Sequence, residues 1–310
     1  MNEGLSSIGI DVGGTKLLCG IVKADGSILT VRQAETRASH LLSDMEALVA
    51  DAQAEARGLG LAVAGIGIGM KGAIDPRAGK LVRSITLGLA DLDITGVLRN
   101  RSGLSAWIEN DVHAATLGEL KFGLGRKHRD FIMFNAGTGI AAGYVLDGRL
   151  HVGASGTAGE IGHMVVCGDL DLRCSCGRSG CLEDLIHRSR RGEQIAIASH
   201  EALKDVPIAY QLLALALTNL INAFNPSAVA CMGGMLMNNA PMIDILDQTV
   251  RLMALYPAAE ALAPIVPAYG GYQAGLLGAA SLPFLYTDTG GRDAALKQGV
   301  NHVEAGRLYP

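Results

Sequence analysis

The sequence carries little charge and no marked excess of either sign. Asp, Glu, Lys and Arg make up only 18% of its 310 residues, and the net charge is −4 with a pI near 6.1. Proteins that bind nucleic acids or anionic membranes through electrostatic attraction carry a basic patch or a positive balance. The composition therefore predicts neither kind of partner.

The chain also lacks a secretory leader and an apolar run able to span a bilayer. Its first residues, MNEGLSSIGIDVGG, contain no basic segment followed by a long apolar one. The longest apolar stretch, Ile208 to Phe224, is interrupted by Gln, Thr and Asn side chains, which favours a buried helix over a membrane span. We therefore expect a cytoplasmic protein.

Apolar residues and glycine are plentiful instead. Hydrophobic residues make up 49% of the chain, and its 41 glycines fall largely in short clusters, which indicates several tight loops against a ligand. The length favours two lobes over one core. We divide the chain into an N-terminal lobe (1–115) and a C-terminal lobe (116–272), with a last helix near 273–290 packing on the first lobe. The polar segment 287–310 has no clear period and is a candidate for disorder.

The first candidate site is a glycine turn between two predicted strands, 7–12 and 17–23. The turn reads Gly13-Gly14-Thr15-Lys16. Paired glycines let backbone N–H groups point at an anion, Thr15 adds a hydroxyl, and Asp11 could hold a hydrated Mg²⁺. An ordinary hairpin turn is the alternative.

A second pair of predicted strands repeats this arrangement. Strands 131–135 and 140–146 are joined by Ala136-Gly137-Thr138-Gly139. Two such units suggest a duplicated architecture in which both glycine loops contact one phosphate chain. A later buried strand, 227–232, ends at another glycine turn, Gly233-Gly234.

An acidic residue stands where a predicted strand meets a predicted helix. Strand 104–109 leads into Asn110-Asp111, and helix 112–122 follows. Asp111 could be the N-cap of that helix or a general base that accepts a proton from a substrate hydroxyl. The loop after strand 61–68, Gly69 to Pro76, is either one wall of a substrate pocket or a plain connection.

A cysteine cluster follows near the middle of the chain. Cys174, Cys176 and Cys181 have C-x-C-x₄-C spacing, and His163 lies close enough to complete a Cys₃His set. This donor set is typical of structural zinc, and thiols that bind no metal are the alternative. Cys167 could compete as a ligand, but its apolar run predicts a place in the core of a strand.

Taken together, the motifs of this chain resemble those of the ROK family of sugar kinases and repressors. The resemblance spans roughly residues 7–281 and rests on Gly13-Gly14-Thr15, Asn110-Asp111, Gly137-Thr138-Gly139, Glu160-x-Gly162-His163 and C-x-C-G-x-x-G-C-x-E. It implies an α/β protein with the actin-like, hexokinase and ribonuclease H-like fold of two lobes around a cleft. It also implies ATP bound by both glycine loops, sugar bound at the hinge, and a homodimer.

The resemblance assigns a role to each matching position. Asp111 corresponds to the general base, and Asp11 lies near the Mg²⁺ that accompanies ATP. The implied nucleotide-binding residues are Gly13, Gly14, Thr15, Lys16, Thr138, Gly139, Gly233 and Gly234. The implied sugar-binding residues are Gly72, Asn110, Asp111, Glu160, His163 and Glu183. The implied ligands of one structural Zn²⁺, in a loop over 163–181, are His163, Cys174, Cys176 and Cys181, so that His163 would bind metal through one ring nitrogen and sugar through the other.

Several positions depart from the family pattern, and they cluster around the sugar. Ala141 and Ala142 replace two glycines of the second loop, which could change its backbone angles. His113 stands at the last position of the family's N-D-x-N, and Lys71 replaces a proline before Gly72. We expect Lys71 to contact a polar substituent of the sugar.

The sequence therefore predicts an ATP-dependent kinase for a hexose, an N-acetylhexosamine or a related cyclitol. A sugar-sensing regulator of transcription is the first alternative, although only a few residues precede the first strand, where repressors of the family carry a DNA-binding module. A sugar-binding protein without catalytic activity is the second.

Overall fold

The chain divides into two units, each with its own apolar core. The computed structural model describes residues 4–167, 173–174, 176–195, 203–239 and 241–288. The first unit contains Met1–Lys127, Asp147–Leu150 and Gln273–Pro310, and the second contains His128–Leu146 and His151–Tyr272. The C-terminal helix thus belongs to the unit formed by the N-terminal half of the chain.

The first unit is built on a five-stranded sheet. Its elements in chain order are β1 (Leu5–Val12), β2 (Lys16–Lys23), β3 (Ile28–Glu35), α1 (Leu41–Gly58), β4 (Ala62–Met70), β5 (Ala73–Asp75), β6 (Lys80–Ser84), β7 (Leu89–Asp93), α2 (Ile94–Ser102), β8 (Ala106–Asn110), α3 (Asp111–Phe122) and the returning helix α9 (Ala274–Asp288). The main sheet has the order β3-β2-β1-β4-β8, and β5-β6-β7 form a separate three-stranded sheet. The hairpin predicted around Gly13 is confirmed by the antiparallel pairing of β1 with β2.

The second unit has a sheet of related design. Its elements are β9 (Phe131–Ala136), β10 (Ile140–Leu146), α4 (Leu182–Arg190), α5 (Ile208–Phe224), β12 (Ala228–Met232), α6 (Gly234–Met237), α7 (Pro241–Met253), α8 (Ala258–Ala261) and β13 (Val266–Pro267). The short strand β11 (Arg149–His151) belongs to the same sheet, although Asp147–Leu150 are grouped with the first unit. The sheet order is β11-β10-β9-β12-β13. As in the first unit, an antiparallel pair (β9 with β10) adjoins a parallel one (β9 with β12).

The central strands of the first sheet, β1 and β4, lie between helices that cover both faces of the sheet, whereas the edge strand β3 is largely exposed. Interior residues of β1 and β4 are fully buried, the pattern expected of parallel strands that lie between helices. Helix α1 contributes one apolar stripe, formed by Leu41, Met45, Val49, Ala52 and Ala56. Spacings of three and four residues place this stripe on one helical face.

Helix α9 approaches the sheet and α3 through a set of glycines, which we call the glycine seam (Gly9, Gly67, Gly118 and Gly278). A Cβ atom on Gly9 would lie 2.7 Å from the carbonyl oxygen of Leu276, and one on Gly67 would overlap the carbonyl of Ala279. On the neighbouring side, a Cβ on Gly118 would lie 2.7 Å from the Cα of Gly278. Backbones that approach this closely exclude any side chain from the contact.

One predicted strand boundary is wrong by two residues. Strand β4 continues to Met70, whereas the loop was expected from Gly69, because β4 pairs with β1 and β8 through its last residue. Helix α9 runs from Ala274 to Asp288, in agreement with the helix predicted near 273–290. Most of the 287–310 tail lies outside the described residues.

The helix predicted over 208–224 is confirmed as α5, and ten of its residues are buried. Among the helices of the described part of the chain, none combines the length and the apolar character that crossing a bilayer requires.

The seam gives a direct test of this packing. We expect Gly67→Ala to lower the free energy of unfolding by about 1–3 kcal/mol or more, because the new methyl group meets backbone that cannot move aside cheaply. Gly58→Ala is the matched control, since no atom lies within 4 Å of a Cβ at that position. Urea unfolding followed by circular dichroism should separate the two, and equal midpoints would contradict the close contact.

Candidate functional site

Asp111 is the first residue of α3, directly after the carboxyl end of β8. The N-cap of α3 is Asn110, whose Oδ1 accepts hydrogen bonds from the N–H groups of Val112 (3.0 Å) and His113 (3.2 Å). The interpretation of Asp111 as the N-cap is therefore wrong, because the preceding side chain already fills that role. The Asp111 carboxylate lies at the edge of the sheet, and the general base is the alternative that remains for it.

The two acidic residues at this edge have raised pKa values. Burial is the main cause of the raised pKa of Asp111, and the positive charge of Lys71, backbone N–H groups and His113 oppose it. Burial and the neighbouring Asp111 charge together raise the pKa of Asp11 to about 7. Carboxylates that feel each other's charge in a poorly solvated site ionise less readily, and a base whose pKa approaches neutral accepts a proton more effectively.

Asp11 lies against the first turn of α9. A Cβ on Gly275 would come within 2.8 Å of the Asp11 Cγ atom, so only glycine leaves room for the carboxyl group at its observed position. The first turn of a helix presents N–H groups that favour negative charge. Sequence reasoning missed Gly275, and its position within the first turn of a predicted helix was the only available signal.

A buried polar cluster, formed by Glu109, His113 and Tyr286, lies beside Asp111. Glu109 is only 2% exposed, and it accepts hydrogen bonds from the Tyr286 hydroxyl (3.3 Å) and the Asn110 N–H (3.2 Å). The Nδ1 atom of His113 lies 3.8 Å from the same carboxylate. The cluster connects the segment that carries Asp111 to α9, and sequence reasoning missed it, although Glu109 stands out as a charge in an apolar strand.

The first glycine turn is closed by the hairpin itself. The Gly13 N–H donates to the Lys16 carbonyl (2.9 Å), and the Thr36 hydroxyl donates to the Gly13 carbonyl (2.9 Å). Gly14, Thr15 and Lys16 are exposed. The predicted phosphate-binding groups therefore lie at the surface of the first unit, at the same sheet edge as Asp11.

The loop after β4 holds the other predicted residue of this unit. Gly72 has a φ of +143° and leaves no room for a Cβ, which would lie 2.6 Å from the Arg83 carbonyl. Its own carbonyl faces the Asn110 side-chain amide at 3.5 Å. Gly72 and Asn110, both predicted to bind sugar, are thus brought together beside Asp111.

In the second unit, the two predicted nucleotide-binding turns lie against each other. The Gly137 N–H and the Asn135 amide both donate to the Gly139 carbonyl, at 3.1 Å each. A Cβ on Gly137 would lie 3.4 Å from the Gly234 nitrogen, and Gly233 has a φ of +93°. Thr138 is exposed at the tip of its turn.

The alanines that replace family glycines lie in regular strand. Ala141 and Ala142 pair with Asn135 and Phe134 within β10. Neither has a positive φ. The substitutions therefore do not require a different backbone, because an L-residue adopts strand angles without strain.

Three residues predicted to bind sugar, Glu160, His163 and Glu183, follow the second glycine turn along the chain. Glu160 is exposed and precedes a short 3₁₀ helix, Ile161–His163. Glu183 lies in the first turn of α4, and its Oε2 accepts a hydrogen bond from the Ile140 N–H (2.8 Å). The Glu183 carboxylate is thereby fixed against the start of β10.

The cysteine cluster fits a tetrahedral metal ion. The ligand atoms of His163, Cys174, Cys176 and Cys181 all lie within 4.8 Å of one another. The Cys176 and Cys181 sulfurs are 3.6 Å apart, and the Cys174 sulfur is 3.7 Å from the His163 Nδ1. Four ligands at zinc bond lengths in a tetrahedron would lie about 3.5–3.8 Å from each other. Because Nδ1 faces the sulfurs, Nε2 is the ring nitrogen left for another partner.

Local backbone brings these sulfurs together. A tight turn is closed by the Gly177 N–H donating to the Cys174 carbonyl (2.9 Å) and by the Cys174 N–H donating to the Arg178 carbonyl (2.8 Å). The backbone N–H of Arg178 is the main factor that lowers the pKa of Cys176 to about 6. Thiolates are the species that bind metal, so Cys176 is prepared for that role.

The prediction that Cys167 occupies the core of a strand is wrong. The run from Met164 to Cys167 forms a single bridge, between Val165 and Cys181, and the side chains of Val165 and Val166 are exposed. The run pairs with the cysteine turn, since the Val166 N–H donates to the Gly180 carbonyl (2.9 Å). The run therefore pairs with the cysteine turn and does not enter a sheet, although Met164 and Cys167 pack against the core of the second unit.

These observations agree with comparisons to known proteins. A family model described as ROK family matches residues 7–284, so the chain belongs to the ROK family, as its motifs indicate. A glucokinase from Streptomyces coelicolor is 27% identical over 313 residues, which cover 89% of this chain and 96% of that enzyme.

Structural similarity extends over the same length. The crystal structure of a ROK family glucokinase from Streptomyces griseus, in complex with glucose and AMPPNP, has a TM-score of 0.72 and 26% identity, and it covers 89% of this chain and 98% of that one. The predicted actin-like α/β fold class is thereby confirmed. A xylose repressor from Bacillus spizizenii is also similar, at 27% identity over 68% of this chain and 58% of the repressor.

The raised pKa of Asp11 predicts a pH-dependent effect of Asp11→Asn in the protein without nucleotide or Mg²⁺. Asp11 is protonated in the folded and unfolded states well below pH 4, and above pH 7 the folded state must hold a buried charge. The advantage of Asn should therefore grow from about pH 4 to 7 and then stay constant. A rise in pKa from 3.8 to about 7 corresponds to about 4 kcal/mol at most.

Thermal unfolding from pH 4 to 8 measures this effect. Asp51→Asn, which changes an exposed carboxylate of α1, is the control and should show little change with pH. An Asp11→Asn protein that gains no stability relative to wild type at pH 8 would contradict the raised pKa.

Proposed function

We propose that this protein is an ATP-dependent kinase that phosphorylates a hydroxyl group of a hexose, an N-acetylhexosamine or a related sugar or cyclitol. The observation that carries the proposal is Asp111, a carboxylate with a raised pKa at the edge of the first sheet, beside Asp11, Lys71 and a glycine turn. Membership of the ROK family and the similarity to glucokinases support it.

The reaction needs one base and several groups that neutralise charge. The sugar hydroxyl oxygen attacks the γ-phosphorus as its proton passes to Asp111. The bond from the γ-phosphorus to the bridging oxygen breaks, and ADP leaves with the electron pair. Positioning and electrostatic stabilisation account for most of the catalysis in such transfers. Backbone N–H groups of the turns at Gly13-Gly14 and Thr138-Gly139 are the proposed phosphate donors.

Asp11 is the proposed contact for the Mg²⁺ that accompanies ATP. Carboxylate oxygens are preferred ligands of this ion, and a cation beside Asp11 would stabilise the ionised form that burial and Asp111 disfavour. The ion would supply charge neutralisation on the phosphates.

Zinc is the metal that we assign to the cysteine cluster. Three sulfurs and one imidazole nitrogen at the observed spacing suit Zn²⁺. The ion would hold the His163 ring by Nδ1, so that Nε2–H remains a fixed donor for a sugar hydroxyl. Glu160 and Glu183 are the proposed acceptors for other hydroxyls, with Asn110 and Gly72 on the first unit.

We also infer a homodimer and a cytoplasmic location. Dimers are implied by the family resemblance. The cytoplasm supplies ATP and keeps thiols reduced. A regulatory role is the second candidate, because xylose repressors are among the similar proteins, and it predicts sugar binding without turnover.

A coupled assay of ADP formation over a panel of hexoses, N-acetylhexosamines and cyclitols tests the function. We expect ADP only when a suitable sugar is present. Asp111→Asn should retain sugar binding and lose about 10²–10⁴-fold in turnover, the usual contribution of a general base. The wild-type rate should fall on acidification at a pH above the value near 4 of an ordinary Asp, because burial raises the pKa of Asp111.

Two results would contradict these assignments. Wild-type turnover in Asp111→Asn would remove Asp111 from the role of base. Sugar binding by wild-type protein with no ADP formed from any sugar of the panel would favour the regulatory candidate.

Elemental analysis tests the metal assignment. Protein purified without added metal should contain about one zinc per chain, and Cys181→Ser should lose it, because Cys181 is a fully buried member of the cluster. Cys167→Ser is the control and should keep its zinc. Fully active wild-type protein without zinc would contradict the site, and loss of zinc from Cys167→Ser would point to a different ligand set.

A further inference from the structure

Three parallel strands of the first sheet end side by side, and the residue after β4 stands in the middle of the row. In the register of these strands, Val12 of β1 is opposite Met70 of β4, and Met70 is opposite Asn110 of β8. The next residues along the three strands are Gly13, Lys71 and Asp111. Neighbouring strands are about 4.8 Å apart, so Lys71 follows a strand end that lies between the glycine turn and the proposed base.

The backbone of Lys71 is fixed on both sides. Met70 is fully buried and paired with both neighbouring strands. Gly72 is held in a conformation that only glycine adopts readily, packed against the Arg83 carbonyl and facing the Asn110 amide. Lys71 is therefore a fixed part of the sheet edge, unlike a lysine in a long surface loop.

Within the described residues, the ammonium group of Lys71 has no hydrogen-bond or ion-pair partner. Lys71 is partly buried, and its charge favours the ionised form of Asp111. Within the described residues, Lys71 makes no hydrogen bond, and no carboxylate lies within ion-pair distance of its ammonium group. Lys71 thus follows a strand end between the proposed phosphate-binding turn and the proposed base. A cation there that makes no hydrogen bond to the described residues is suited to contact the phosphoryl group that is transferred.

We infer that Lys71 contacts the phosphoryl group during transfer and stabilises the negative charge on its oxygens. This role rests on the proposed kinase function and differs from our expectation that Lys71 contacts a substituent of the sugar. An ammonium group suits the task because it is a compact charge with three donors, and phosphoryl transfer is accelerated by cations at the equatorial oxygens. Lys71 takes no part in the proton transfer, which remains with Asp111.

The role predicts a defect in turnover that is the same for every sugar. Lys71→Met should lower kcat by about 10²–10³-fold with each sugar that the wild type phosphorylates, the usual effect of removing one charge-stabilising donor from an enzyme active site. The KM for the sugar should change by less than about threefold. Lys71→Arg should recover part of the lost rate, since it restores the charge in a different geometry. Lys80→Met removes a lysine that pairs with Asp91 on the three-stranded sheet, and it should leave turnover unchanged.

Nucleotide binding gives a readout that does not depend on turnover. Lys71→Met should bind a non-hydrolysable ATP analogue several-fold more weakly than wild type, with unchanged affinity for ADP, because only the triphosphate carries the γ-phosphoryl group. A general loss of structure would weaken both. Lys71→Gln repeats the test with a polar side chain of similar length if Lys71→Met does not fold.

The pH profile adds a third readout. The charged or titratable groups that act on Asp111 are Lys71 from the loop after β4 and His113 from α3, and Asp111 in turn acts on Asp11 from β1. Loss of the Lys71 charge should move the acid limb of the residual activity to higher pH, because that charge favours the ionised form of Asp111, which accepts the proton.

The outcomes separate the inference from the function on which it rests. A wild type that forms no ADP with any sugar would contradict both. An active wild type with Lys71→Met turnover within threefold of it would contradict only the role of Lys71. A Lys71→Met defect limited to the KM of one sugar, with normal binding of the ATP analogue, would assign Lys71 to the sugar and overturn the inference.

Discussion

The first unit depends on the close contact between its C-terminal helix and its N-terminal sheet. At the glycine seam, α9 approaches β1 and β4 so closely that side chains are excluded, and α9 meets α3 in the same way. Dispersion and burial over such a contact are strong because no gap separates the two surfaces. The same helix supplies the first turn that receives Asp11 and the Tyr286 hydroxyl that contacts Glu109. One packing contact therefore determines where both acidic residues of the proposed site lie.

The burial that positions these carboxylates also destabilises the folded protein. Asp11 and Asp111 would each be more stable as ions in water, and the Asp111 charge further raises the cost of ionising Asp11. A binding or catalytic site commonly retains this kind of unfavourable arrangement because it is relieved when the ligand arrives. Here a cation at Asp11 and a proton transferred to Asp111 would provide the relief. Lys71 already provides part of it in the free protein.

Features set by neighbouring residues could be predicted from the sequence. The glycine turns at Gly13-Gly14 and Gly137-Gly139 lie between strands whose apolar patterns are clear, and the three cysteines of the candidate metal site lie within eight residues. Asp111 was recognised as a candidate for the same reason. The alternative that Asp111 is the N-cap is wrong, because Asn and Asp are both good caps and only the geometry decides between them.

Features set by distant contacts could not be predicted. Gly275 matters because of Asp11, which is more than 250 residues earlier, and the sequence around Gly275 reads as ordinary helix. Cys167 was misplaced because its apolar run pairs with Gly180 and Cys181 rather than with a sheet. The proposed role of Lys71 depends on the register of three parallel strands, which the residues around Lys71 do not specify by themselves.

The order of synthesis gives the glycine seam one more consequence. A ribosome adds about 5–20 residues per second, so β1 and β4 leave it many seconds before α9 has been made. During that interval, the sheet face that α9 will cover is exposed, and Asp11 lacks the helix turn that receives it. The glycines that allow the close final contact also make this face less apolar than a surface of valine or isoleucine would be. The incomplete chain is therefore less prone to associate with other chains before α9 has been synthesised and has packed on the sheet.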